Sequence, residues 1–387
     1  MKKLVDKNLI LALILAAAGW LAVFFIVGPL EINDSIKLAE VMRWFEGKPC
    51  LFQCDFTADS YSVYPIFRPL APLLAIPLGL IGGEETGLLI LSFLFYLASV
   101  YLVFKITDLI YESKKQAFLA SILWAFAISA IKYSVSAHAT DVGAWFFCLL
   151  SVFLTLLYFK KRQNRWLVWN GLITGLGVLM KENGGLGVLF FAAMVFLSGE
   201  FNFREKFLKL IKFGIFFLMP VVFWDVCVST FTSFSRFDFL STDVATYAQG
   251  KPSLATFFIL QHFLSLLTTF GLLGWLLIFF GGLEEWRIKN KERIKIILAL
   301  VPFSLISWLW VSGDSRHAFI IGALGALLGS FGLINLEKLF PNKRIGQLLT
   351  ILAVCLYITL NYSAFYLNDS LPFLDFYDIF YFFGGRF

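Results

Sequence analysis

Apolar runs of spanning length recur along the chain at roughly 8 to 28, 86 to 104, 116 to 133, 140 to 159, 166 to 180, 184 to 198, 209 to 230, 256 to 281, 294 to 311, 316 to 334 and 346 to 366. A helix needs about 20 apolar residues to cross a hydrocarbon core of roughly 30 Å. The pattern predicts an all-α polytopic membrane protein with about eleven transmembrane helices. One further apolar stretch, Ile66 to Gly82, is near the lower length limit and contains Pro69, Pro72 and Pro77. Each proline removes a backbone donor that hydrocarbon cannot replace. This stretch is expected to be an interfacial or re-entrant piece lying against protein.

Whether it spans decides the side of everything that follows, and the charges arbitrate. Short cytoplasmic loops hold most of the Lys and Arg of a membrane protein. With Ile66 to Gly82 not spanning, the N-terminus and residues 105–115, 160–165, 204–212, 287–295 and 338–344 share a side and hold 22 of the 32 Lys and Arg. Counting it as a span would move Lys160-Lys161-Arg162 and the Arg287 to Lys295 cluster outside. The N-terminus is therefore expected in the cytoplasm of an inner or plasma membrane. Residues 29–85 become a first external loop, 231–255 a second, and 367–387 an external tail. The run from Asn8 to Val27 is too long for a signal-peptide core and no small-residue cleavage site follows it, which predicts an uncleaved anchor. No internal repeat and no low-complexity linker divides the chain, so residues 1–387 read as one membrane domain without the inverted-repeat signature of many secondary transporters.

Inside the first loop the pattern changes period. Asn33-Asp34-Ser35 suits a helix N-terminus, because these side chains accept from the free amides of the next turn. Ile36, Ala39, Val41, Met42 and Phe45 then recur at helical spacing, opposed by Lys37, Glu40, Arg43 and Glu46, with Trp44 near the end. This predicts an amphipathic helix on the outer membrane surface.

Composition agrees with the class: 59% hydrophobic and 15% charged residues in 387 leave too little polar surface to cover a soluble globule. The net charge of +6 follows from the cytoplasmic loops and implies no nucleic acid partner. Cys148, Cys227 and Cys355 fall in apolar runs and pack as small hydrophobes. Cys50 and Cys54 lie in the first external loop, where they are either a local disulfide, if the compartment oxidises, or two thiols.

The ionisable residues collect at the external ends. Glu31, Asp34 and Arg68 lie in the first loop; Lys132 and His138 flank the turn before the fourth span, which begins Thr140-Asp141. Lys181-Glu182-Asn183-Gly184 forms a later external turn, and Asp314, Arg316 and His317 another. Charges near membrane depth are costly and mark functional sites, although helix-end charges also snorkel into headgroups. Taken together, the two signs suit group transfer. A carboxylate accepts a proton from an incoming hydroxyl or amine, while Arg and Lys stabilise the charge growing on a phosphate leaving group. The donor would lie in the outer leaflet among membrane lipids.

These residues resemble the GT-C superfamily of polyprenyl-phosphate-sugar-dependent glycosyltransferases, especially the branch of the bacterial lipid A aminoarabinose transferases and protein O-mannosyltransferases. An acid opening the first external loop, followed by a surface helix ending in Gly-x-Pro, matches Asp34 and Glu46-Gly47-Lys48-Pro49. The family's Lys/Arg-Pro-Pro-Leu element is similar to Arg68-Pro69-Leu70-Ala71-Pro72-Leu73, with one proline displaced. Asp141 matches the acid beginning the fourth span, Gly171 to Lys181 the glycine-rich run ending in Lys, and Arg316 the late external Arg. The resemblance implies Asp34 as catalytic base, Asp141 as a second acid, and Arg68, Lys181 and Arg316 as contacts to the donor phosphate. Glu31, His138 and His317 are further candidates.

The implied activity is transfer of a sugar from a polyprenyl-phosphate carrier to a lipid, glycan or protein acceptor at the extracytoplasmic face, with inversion. The resemblance requires no cofactor. A divalent metal is the alternative, and Asp34 with Asp141 could offer it only hard oxygen ligands. Two readings from other classes stay open: a catalytically silent membrane subunit that binds a partner, and a transporter of a lipid-linked glycan.

Overall fold

The computed structural model describes residues 6–28, 33–48, 64–137, 139–232, 236, 254–309 and 322–370, which are almost entirely helical. In chain order the α-helices are α1 (Lys7–Val27), α2 (Asn33–Phe45), α3 (Leu70–Gly79), α4 (Glu84–Tyr111), α5 (Lys114–Ala125), α6 (Ile128–Ser134), α7 (Ala139–Lys161) and α8 (Asn164–Met180). They continue as α9 (Gly187–Leu197), α10 (Phe203–Thr232), α11 (Leu254–Ile288), α12 (Lys291–Leu309), α13 (Gly322–Lys338) and α14 (Lys343–Ser370). Short 3-10 turns at Tyr64–Phe67 and Glu182–Leu186 precede α3 and α9.

Where the apolar runs read from the sequence fall on described residues, those residues are almost entirely helical. Among the described residues five helices, α1, α4, α7, α10 and α14, pass a length and composition test for crossing a membrane, and α5 with α6 makes a sixth if the pair is one span. That pair differs from the single span expected at 116 to 133. The chain bends by 60° between α5 and α6, with neither Pro nor Gly at the break. Side chains from other helices satisfy the carbonyls around the break. Tyr96 Oη donates to the Ala125 carbonyl at 2.9 Å, Asn361 Nδ2 to Phe126 at 2.9 Å and Tyr357 Oη to Leu123 at 2.8 Å. Carbonyls freed by a break at membrane depth need such partners.

The proline segment does not span: α3 has ten residues, about 15 Å of helix and half of a hydrocarbon core. It lies against protein, as expected. Ala71 and Ala75 are fully buried, and the Ala75 carbonyl sits so close to Gly87 of α4 that a Cβ there would meet it at 2.7 Å. The helix of the first loop also forms where expected, but it is more enclosed than a surface helix. Leu38, Val41 and Met42 are buried against α3 and α4, and Glu40, assigned to the polar face, is buried too. Arg43 and Lys48 reach Glu84 at 3.4 and 3.3 Å, tying this segment to the start of α4.

Glycines set the closest helix crossings, in the manner of membrane helices that associate by backbone approach. Where α8 meets α10, a Cβ on Gly175 would lie 2.2 Å from the Phe217 carbonyl. Where α11 meets α13, a Cβ on Gly332 would lie 2.3 Å from that of Leu277. Between α7 and α8, Ser151 Oγ donates to Asn170 Oδ1 (2.8 Å), Asn170 Nδ2 to Thr155 Oγ1 (2.7 Å) and Thr174 Oγ1 to Ser151 Oγ (2.8 Å), all buried.

Ion pairs join the basic loops at one end of the bundle: Lys160 with Glu112, Lys115 with Glu337, Arg162 with Glu200 and Arg293 with Glu285. Arg68, Asp141 and Lys181 lie at the other end.

Candidate active site

Two helix ends create the centre of this site. The first turn of α7 carries Asp141, and Lys181 caps the C-terminus of α8. The ends approach closely because Gly143 faces Met180, whose Sδ would lie 2.7 Å from a Cβ at that position. Asp141 and Lys181 form an ion pair, and both side chains are buried, at 0% and 7% exposure. The turn after Lys181 is pressed onto α8 by a reciprocal glycine contact. A Cβ on Gly177 would meet the Gly184 carbonyl at 2.4 Å, and one on Gly184 would meet the Gly177 carbonyl at 2.3 Å.

Glu182, the next residue, faces Arg68. The Arg68 guanidinium donates from Nε to both carboxylate oxygens at 3.1 and 3.0 Å and from Nη2 at 2.5 Å. Arg68 is 4% exposed. A fork engaging a carboxylate in this way is the strongest geometry available to an Arg. Burial alone would raise the Glu182 carboxyl, but the Arg68 charge and its hydrogen bonds hold it below the ordinary carboxylate range, with a smaller contribution from Arg236.

Arg236, beyond the end of α10, is the third buried cation. Its Nε donates to Asp225 at 2.9 and 3.3 Å, its Nη2 donates to the Phe67 carbonyl at 3.0 Å, and its guanidinium stacks 5.3 Å from the Phe67 ring centroid. Trp224 Nε1 donates to the Ile66 carbonyl at 2.9 Å. Residues 66, 67 and 68 are thus each held in turn, by Trp224, Arg236 and Glu182. The segment before α3 is an anchored strut, and the Arg68 fork has a fixed position.

Three pairs make the described cluster charge-balanced: Lys181 with Asp141, Arg68 with Glu182 and Arg236 with Asp225. Arg236 Nη1 and both polar atoms of the Asn183 amide are closed off from solvent without a hydrogen-bond partner. Chemically, the arrangement offers fixed guanidinium and ammonium donors to an anion at the edge of a bundle.

Of the residues named from the sequence, the structure joins Arg68, Asp141 and Lys181 in this region. Asp34 lies in the first turn of α2, and its side chain is outside the described ones. Glu31, His138, Arg316 and His317 lie outside the described residues, as do Cys50 and Cys54. Glu182 appeared in the sequence reading only as part of a turn, and Arg236 and Asp225 were missed. An acid inside the apolar run from 209 to 230 was the available signal for Asp225. Among the described residues, no three of His, Cys, Asp and Glu gather in a way that could hold a metal ion.

A family model described as dolichyl-phosphate-mannose-protein mannosyltransferase matches residues 69–224, which include α3 to α9 and most of α10. Two solved structures superpose over nearly all of the chain. The oligosaccharyltransferase of Archaeoglobus fulgidus, determined in complex with Zn and sulfate, has a TM-score of 0.63 at 18% identity and covers 93% of this chain. ArnT from Cupriavidus metallidurans, bound to undecaprenyl phosphate, has a TM-score of 0.62 at 14% identity and covers 92%. The chain has the GT-C fold. The GT-C fold implied by the resemblance is borne out by both superpositions, and the family model over residues 69–224 agrees with its protein mannosyltransferase side. The chain spans 53% of the oligosaccharyltransferase and 70% of ArnT. No curated protein sequence matches it significantly.

Proposed function

We propose that this GT-C chain is an integral membrane glycosyltransferase that takes a sugar from a polyprenyl-phosphate carrier and gives it to an acceptor hydroxyl or amine at the extracytoplasmic face. The observation that carries the reading is the buried cation cluster of Arg68, Lys181 and Arg236, held at one end of a GT-C bundle that superposes on ArnT bound to undecaprenyl phosphate. The charge distribution along the sequence supports placing that end outside.

In this reading the acceptor oxygen or nitrogen attacks the anomeric carbon while the bond from that carbon to the phosphate oxygen breaks. The electron pair leaves with the polyprenyl phosphate, and the acceptor proton passes to a carboxylate, assigned to Asp34. A single in-line displacement inverts the anomeric centre. Fixed cations beside the leaving phosphate stabilise charge that develops in the transition state, at no cost in reorganisation. Arg316 keeps its assignment as a donor-phosphate contact, Glu31, His138 and His317 stay further candidates, and the acceptor is a lipid, glycan or protein.

The testing experiment is lipid analysis by mass spectrometry of the protein purified from its native membrane, with Arg68→Ala beside the wild type. Polyprenyl phosphate or its glycosylated form is expected to co-purify with the wild type and to be depleted in the variant. Equal enrichment in both would remove Arg68 from the donor site, and no enrichment in either would contradict the donor class.

A further inference from the structure

Among the described residues the cluster is balanced before any donor arrives. Arg68, Lys181 and Arg236 each already face a carboxylate. A sugar phosphodiester brings one negative charge, and the product phosphate brings more. Adding it to a balanced, largely dehydrated group leaves negative charge uncompensated, which is expensive away from water. A carboxylate that yields its cation to the phosphate removes that cost.

The three differ in how readily they can do so. Asp141 is fully enclosed at the start of α7. Asp225 belongs to the long helix α10 and shares Arg236 with the Phe67 carbonyl. Asp225 is more exposed than Glu182, at 29% against 15%, but it lies within that regular helix, whereas Glu182 sits on a 3-10 turn and occupies the forked edge of Arg68. That edge is the one a guanidinium also presents to phosphate, because two oxygens on a phosphate have nearly the spacing of two on a carboxylate.

We propose that Glu182 is an internal placeholder for the donor phosphate: it fills the Arg68 fork in the empty protein and yields it when the phosphate enters. This rests on the polyprenyl-phosphate reading and adds to it a positioning residue that sets donor affinity. The carboxylate keeps Arg68 oriented and its charge compensated while no donor is present. The entering phosphate exchanges one charge-assisted pair for another, and the carboxylate swings out on its turn toward water. In the reverse direction its return helps to expel the spent carrier.

The test is equilibrium binding of undecaprenyl phosphate to the full chain in nanodiscs, for wild type, Glu182→Gln and Glu182→Asp, with undecaprenol as the control without phosphate. Gln keeps a hydrogen-bonding oxygen but not the competing charge, so affinity for undecaprenyl phosphate is expected to rise about tenfold. Asp is expected to stay near wild type, and undecaprenol binding to be equal in all three. Unchanged or weaker undecaprenyl phosphate binding by Gln would overturn the placeholder, because a merely structural Glu182 loses affinity when altered.

Should Gln fail to fold, hydrogen exchange on the wild type decides. Undecaprenyl phosphate is expected to speed exchange of the amides in the Glu182–Leu186 turn, and unchanged or slower exchange would overturn the proposal. If no protein tells undecaprenyl phosphate from undecaprenol, the donor reading falls and the placeholder with it. Phosphate-dependent binding by the wild type that Gln does not tighten removes the placeholder alone.

Discussion

Asp141 and Lys181 meet in a buried ion pair across the ends of α7 and α8. Each sits where its helix favours it. The carboxylate is in the first turn of α7, near the positive end of that helix dipole, and the ammonium follows the last turn of α8, near the negative end. Two groups that the sequence assigned to separate tasks thus hold each other. A buried pair of this kind is weak evidence for stability, since apolar residues of like volume often do as well. Its value is placement: it fixes the turn that carries Glu182.

Breaking that pair from one side is expected to be costly. Asp141→Asn or Lys181→Met should each destabilise the protein by about 3–5 kcal/mol, because the remaining charge stays buried and loses its ion-pair partner. The double variant should recover much of the loss. Thermal unfolding in detergent, arranged as a double-mutant cycle, measures the coupling.

The reciprocal glycine contact gives a sharper test of geometry. Gly177→Ala puts a Cβ 2.4 Å from the Gly184 carbonyl, a backbone atom that cannot turn aside. The turn bearing Lys181 and Glu182 should be displaced, and undecaprenyl phosphate binding should fall at least tenfold. Gly214→Ala, with open space around the new atom, is expected to bind as wild type does.

The Ser151, Asn170, Thr155 and Thr174 network should matter to the bundle and not to the site. Asn170→Leu leaves the hydroxyls of Ser151 and Thr155 without the amide and should cost about 1–3 kcal/mol. The unfolding temperature is expected to drop while undecaprenyl phosphate affinity holds in the folded fraction. A loss of affinity in that fraction would show that the network also shapes the site.

Acid should undo the Arg68–Glu182 contact in a defined window. The folded-state value of Glu182 lies below its ordinary 4.5, so the unfolded chain takes up its proton first as pH falls. The stabilisation is therefore complete above 4.5 and is lost as pH drops through the lower folded-state value. The gap in unfolding temperature between wild type and Glu182→Gln is expected to be constant between about pH 6 and 8. It should close in more acid solution.

The helices were legible because uniformly apolar runs have few alternatives in a membrane chain, and the prolines of 69 to 77 excluded one more span. The bend after Ala125 was not legible: Tyr96, Tyr357 and Asn361, which satisfy its carbonyls, come from helices distant in sequence. The same limit hid the site's wiring. Arg68, Asp141 and Lys181 could be picked out one by one, but the partner of Arg68 lies 114 residues away, and the register of two helix ends decides that Glu182 meets it. Arg236 carried no local pattern, since a single Arg in a polar loop is common, and only its packing on Phe67 sets it apart.

Transfer itself is the most direct measurement. Purified protein is supplied with a polyprenyl-phosphate sugar labelled in the sugar and with membrane extract as the source of acceptor, and release of polyprenyl phosphate is followed together with label in the acceptor. Wild type is expected to give both in equal amounts, Asp34→Asn to lose at least a hundredfold in rate, and Arg68→Ala to lose donor affinity. Equal turnover by wild type and Asp34→Asn, or no cleavage of the donor by the folded wild type, would contradict the assignment.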